Sequence, residues 1–119
     1  MSQDLHNQMA EFAYREILKN MADNKEFRSL ARTFPSMLQI NGLGASVAFL
    51  QTKNSNRAYE FMYGLLDQWT KGKFGEEGSL MERIVHMDSA SYRLYTNEIV
   101  NLCIWIKRFA EGLIKKDGK

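Results

Sequence analysis

Apolar residues recur every three or four positions along nearly the whole chain, so helix is the dominant expectation. In 2–21, Leu5, Met9, Phe12, Ala13, Ile17 and Met21 fall on one side, and Asp4, Gln8, Glu11, Arg15 and Lys19 on the other. Ser2 is placed to cap this first helix. Asp23-Asn24 interrupts the rhythm, and either residue suits the cap of a short second helix ending near Arg32. Pro35 fits the first turn of a third helix, where a missing N–H removes no intrahelical bond. That helix carries Met37, Leu38 and Ile40 and stops at Asn41-Gly42, where the chain bends or kinks. A fourth helix over 43–53 has small residues at Gly44, Ala45, Ser46 and Ala48, which let a neighbour approach closely. After the turn at 54–56, Ala58, Phe61, Met62, Leu65, Leu66 and Trp69 mark an amphipathic helix over 57–71, with Asp67 and Lys71 on its solvated side. The segment 71–78 holds three glycines and mixed charge and reads as a loop, including the solvated pair Glu76-Glu77. Ser79 caps a short helix over 80–86. Asp88 or Ser89 then opens the longest helix, reaching about Lys116, with a stripe of Tyr92, Tyr95, Ile99, Leu102, Cys103, Ile106, Phe109, Ala110 and Leu113.

No segment alternates with a period of two, so no strand is expected. The expected fold is all-α, a compact bundle of five to seven helices with a long C-terminal helix, forming a single domain over 1–119. A chain of 119 residues, 45% hydrophobic and 25% charged, encloses a modest core and is not disordered. Its one cysteine permits no intrachain disulfide, which suits a reducing, cytoplasmic setting. The first residues lack the basic and apolar regions of a signal peptide, and no apolar run is long enough for a membrane span. With a net charge of +2, any electrostatic role depends on where the charges sit.

Catalytic constellations fail one at a time. Cys103 lies on the apolar stripe and reads as an inert core thiol. His6 and His86 have no partner at a metal-ligand spacing, so no metal or cofactor is expected. The run Gly44-Ala45-Ser46-Val47-Ala48 lacks the second glycine of a nucleophile elbow, and Ser46 reads as a packing residue. Gly42-Leu43-Gly44 lacks the third glycine of a dinucleotide fingerprint. The chain is expected not to be an enzyme.

Binding is a different matter. Arg15 and Lys19 sit one turn apart on the first helix, and Arg28 and Arg32 one turn apart on the second. Arg93, Asn97, Arg108 and Lys115 share a side of the last helix away from its stripe, and Lys107 borders it. Each such charge alone fits a solvated surface with local pairs such as Glu11 to Arg15, whereas together they suit an anionic backbone. Ile104 projects into the basic side of the last helix and Trp105 sits at the edge of its stripe.

Two stretches resemble a known family. The run from Pro35 to Gly44, Pro-Ser-Met-Leu-Gln-Ile-Asn-Gly-Leu-Gly, followed by Ala48-Phe49-Leu50 and Lys53, is similar to a signature of the small subunit of the Cmr (type III-B CRISPR) RNA-guided effector. Trp105-Ile106-Lys107-Arg108-Phe109-Ala110-Glu111 resembles that family's closing helix. The two cover about a quarter of the chain, and 71–91 matches nothing in the family. The resemblance implies a non-catalytic structural subunit that stacks along a ribonucleoprotein filament and helps bind target RNA and guide duplex in antiviral defence. Its implied partners are the other Cmr subunits, further copies of itself, the guide RNA and the target RNA, with no membrane and a monomer or weak oligomer in isolation. By the same resemblance Lys53, Lys107 and Arg108 are expected on the nucleic-acid backbone, Gly42 is a conformational residue, and Trp105 a packing or interface anchor. Helix geometry adds Arg15, Lys19, Arg28 and Arg32 to the nucleic-acid set, and Ile104 to the interface set. The alternative is a helical protein–protein adaptor or regulator with no nucleic-acid role.

Overall fold

The computed structural model describes residues 2–53 and 55–115, with side chains from Asn7 onward. Among these residues it holds α1 (Ser2–Asn20), α2 (Lys25–Asn41), α3 (Leu43–Thr52), α4 (Arg57–Phe74), α5 (Leu80–His86) and α6 (Ser89–Leu113), and no strand. The Ser2 cap and the side chains of Asp4, Leu5 and His6 lie outside the description, as does all of Lys116. None of the described helices is long and apolar enough to cross a membrane.

Local chemistry starts most of these helices. Asn24 Oδ1 accepts from the Phe27 N–H at 2.8 Å, so of the two candidates Asn24 opens α2. Asn56 caps α4 by accepting from the amides of Ala58 and Tyr59. Ser79 and Glu82 satisfy each other's backbone N–H in a capping box at α5. Asp88 accepts from the Ser91 N–H at 2.8 Å and opens α6.

The sequence expectation fails at Pro35, which lies inside α2 rather than at the start of a separate helix. A proline there leaves the Ala31 carbonyl without its helical donor, a cost of about 3 kcal/mol. Phe27, Leu30, Ala31, Phe34 and Leu38 form one buried face running past the proline, and each large apolar side chain contributes about 1.5–3 kcal/mol. A break at 33–35 would turn half of that face away from the core, so burial prevails. Gly42, with φ 86° and ψ 168°, is where the chain does break. That backbone region is essentially restricted to glycine.

The core follows from covering α6. Tyr95, Ile99, Leu102, Cys103, Ile106 and Ala110 of α6 are buried, with α1 on one flank and α2 on the other. The Tyr14 ring meets Phe109 edge-on at 5.3 Å on the α1 side. On the α2 side, the Gly44 N–H donates to the Tyr92 hydroxyl at 2.8 Å, and Arg32 pairs with Glu111 at 3.4 Å. These contacts make α2 and α6 antiparallel. Ser46, fully buried, donates to the Met37 carbonyl and fixes α3 against the end of α2. The Asn-Gly-Leu-Gly run therefore serves packing: a break at Gly42, then a close approach of Gly44 to Tyr92.

A second departure lies in the segment expected to be a plain loop and a solvated helix face. Arg83 of α5 is buried and gathers chain from three places. Its Nε donates to the Gly78 carbonyl, Nη1 to the Thr70 and Tyr95 hydroxyls, and Nη2 to the Asp67 carbonyl and carboxylate. Asp67 is thus an ion-pair partner rather than a solvated residue. The Tyr95 hydroxyl donates onward to Glu76 at 2.7 Å, so Glu76 is not merely solvated either. Desolvation, and then the Glu76 bond, push the Tyr95 phenol above its ordinary pKa.

Removing one member of a buried pair leaves the other charge uncompensated. Arg83→Ala is therefore expected to lower unfolding free energy by about 3–5 kcal/mol in urea melts; a loss under 1 kcal/mol would show that the network does not hold 67–95 together. Acid should act through the caps. The Ser79 backbone N–H and then its side chain hold Glu82 below its ordinary pKa, and the Ser91 N–H and side chain do the same for Asp88. A depressed folded pKa gives stability that is complete above the unfolded value, about 4, and lost as pH falls through the folded value. The melting temperature should fall between pH 5 and pH 3, and fall less steeply in a Glu82→Gln/Asp88→Asn variant; parallel slopes would contradict the assignment.

Candidate nucleic-acid interface

Helix direction decides where the charges collect. Arg57 of α4 donates to the Asn20 carbonyl at the end of α1, and Asn56 donates to Glu26 in the first turn of α2. With Arg32 on Glu111, these contacts bring the end of α1, the start of α2, the α3–α4 turn and the last third of α6 to one end of the molecule. The segments 11–32, 53–60 and 107–115 that meet there carry ten Lys or Arg and six Asp or Glu, a net charge of +4. The segment 67–98 at the other end carries four and six, a net charge of −2. A chain of small net charge is thus a polar molecule, and all seven cations picked from the sequence fall in its basic half.

They are not equivalent there. Lys107 and Arg108 line a groove of about 630 Å³ between α2 and α6, with Pro35, Ile104, Glu111 and Gly112 as its other walls. Neither cation has a carboxylate within 4.0 Å among the described residues, and both are exposed. Arg32 meets the same groove through its pair with Glu111. Ile104, 43% exposed, gives the groove an apolar wall. Arg15 is held by Glu11 at 3.8 Å and Glu16 at 3.7 Å, the first of these being the local pair expected from the sequence. Lys19 is exposed. Arg28 is half-buried, and its Nε is shielded without a hydrogen-bond partner among the described residues. Lys53 caps α3 with its ammonium over the Phe49 and Tyr59 rings at 6.0 and 5.4 Å, a cation–π placement at the corner of the basic half.

Trp105 is half-buried and stacks on Phe109 at 5.6 Å with the rings 19° apart. It therefore ties the surface of α6 to the α1 seam. The residues that sequence reasoning missed are Pro35 and Glu111 in the groove and the whole Arg83 network. Glu111 had a signal, its four-residue spacing from Lys107, but its partner comes from another helix.

Of the candidate reactive groups, the fold buries Cys103 and Ser46 and leaves His86 exposed. Cys103 is buried, and desolvation pushes its thiol far above the ordinary value. His86 Nδ1 lies 2.8 Å from the Glu82 carbonyl one turn earlier. Among the described residues, no three His, Cys, Asp or Glu side chains converge on a point that would hold a metal ion. At the acidic end, Glu76, Glu77, Glu82 and Asp88 border a cleft of about 660 Å³.

The fold is that of a CRISPR-associated Cmr5 family protein from Thermus thermophilus, known from an X-ray crystal structure. The two superpose with a TM-score of 0.78 at 23% sequence identity, over 92% of this chain and 97% of that one. At that identity the likeness speaks for architecture alone. The sequence itself goes further, because residues 5–113 match the family described as CRISPR-associated protein (Cas_Cmr5). That match takes in the 71–91 segment that neither recognisable stretch covered. The chain belongs to the Cas_Cmr5 family, and is a subunit of the Cmr (type III-B) CRISPR complex.

Proposed function

We propose that the chain is a non-catalytic structural subunit that stacks with further copies along the Cmr filament and helps hold the guide–target RNA. The observation that carries this reading is the family match over residues 5–113. Three features of the molecule support it. The groove cations Lys107 and Arg108 are free to meet phosphate, which needs positive charge but no sequence-reading geometry. Specificity in such an effector resides in base pairing, so protein contacts need only follow shape and backbone. The basic half and the acidic cleft lie toward opposite ends of the α2–α6 pair, which suits head-to-tail contact between copies.

Among the described residues, the exposed large apolar ones, Tyr14, Leu18, Ile40, Val85, Leu94 and Ile104, are spread over four helices. This favours a monomer or weak oligomer in isolation, since a strong interface buries upwards of about 1,000 Å². Assembly then depends on the other Cmr subunits and on RNA.

Replacing Lys107 and Arg108 together by Ala is expected to weaken RNA binding about equally for unrelated sequences. The slope of log affinity against log salt should fall by up to about 0.7 for each phosphate of a single strand that is no longer neutralised. Stability should change by about 0.5 kcal/mol or less per site, because both side chains are exposed. Unchanged assembly with guide and target at moderate salt would remove this groove from the interface and favour a protein–protein adaptor.

A further inference from the structure

On the α1 side of α6, three aromatic rings run without a gap from the surface inward. Tyr14 is 44% exposed and its neighbour one turn on, Leu18, is 47% exposed. The Tyr14 and Phe109 rings meet edge to face at 5.3 Å and 75°, and Trp105 stacks on the same Phe109. Phe109 and Trp105 are half-buried and pack against the core, so the rings are fixed rather than loose. Tyr14 is the outermost of the three, and packing alone does not require an aromatic at that exposure.

The charges around these rings select an occupant. Arg108 lies three residues beyond Trp105, about 60° round the helix toward solvent, between the rings and the α2–α6 groove. Arg108 has no carboxylate within 4.0 Å among the described residues, whereas Arg15 is already held by Glu11 and Glu16. The centre of a protein–protein interface is depleted in charge, lysine especially. Aromatic faces bordered by free cations are instead what single-stranded nucleic acid uses, with bases on the rings and phosphates on the cations. A duplex keeps its bases stacked inside and has none to offer.

We propose that Tyr14, backed by Phe109 and Trp105, is a stacking platform for an unpaired RNA base, with Arg108 taking a neighbouring phosphate. This rests on the RNA-binding reading above and narrows it to an unpaired stretch of strand.

The test compares two labelled oligomers of equal length and charge, an RNA single strand and an abasic ribose-phosphate strand, binding the purified full chain at low salt. The base-bearing strand should bind tighter by about 5- to 150-fold, the usual worth of one stacked base. Tyr14→Leu keeps an apolar side chain and removes the ring. It should abolish that preference while leaving affinity for the abasic strand unchanged, and Tyr14→Phe should keep the preference. If both strands bind wild type equally, with a salt-dependent affinity, the RNA reading stands and the platform falls. If neither binds, both fall. A Tyr14→Leu variant that binds both strands less well to the same degree also overturns the proposal. So does one that keeps its base preference but no longer co-purifies with another Cmr subunit, which would make the ring a protein contact.

Discussion

A helix of 25 residues with an apolar stripe along its length must be covered along its length, and the rest of the fold follows from that. Neither α1 nor α2 alone spans the width of the α6 stripe, so they take one flank each, and α4 with α5 closes the N-terminal half. Burial of α2 against α6 outweighs a proline in the helix interior, which shows how strongly this requirement acts. It also fixes direction. With α2 antiparallel to α6, the start of one meets the end of the other, and the α1–α4 contact at Asn20 and Arg57 brings two more ends to the same place. The charge asymmetry of the molecule is a consequence of topology acting on a sequence that is nearly neutral overall.

How much of this was legible depended on range. Ser79 stood out as a cap, and Asn24 and Asp88 each as one of two candidates, because an N-cap bond reaches only two or three residues along the chain. The α6 stripe was legible because helical period is local. Pro35 was misread because its outcome is decided by Phe34 and Leu38 meeting another helix, which no local rule contains. Arg83 was invisible for a related reason. An arginine in a seven-residue amphipathic helix reads as surface, and its burial is made by Asp67, Thr70, Gly78 and Tyr95, brought from three segments. That network gives the 71–91 segment a role: it clamps α4, the glycine loop, α5 and α6 into one end of the bundle. The candidate site divides the same way. Each basic residue was visible singly, but their meeting in one half, and the neutralising place of Glu111 beside Arg32, required the fold.

The division of the surface bears on function as well. The half with net charge +4 contains the exposed Lys19, Lys107 and Arg108, the α2–α6 groove and the exposed ring of Tyr14. The half with net charge −2 contains the Arg83 clamp and the carboxylate-bordered cleft. A uniformly basic surface would bind RNA without orientation and repel its own copies. Opposed ends instead allow one subunit to face nucleic acid and a neighbouring copy at once, at modest overall charge.

The proposed function requires that RNA meet the basic half. Photo-crosslinking of the assembled Cmr complex, loaded with guide and target, followed by mass spectrometry of this subunit's peptides, tests it most directly. RNA-linked peptides are expected from 15–32, 53–57 and 104–115. Links confined to 71–93, at the acidic end, would contradict it.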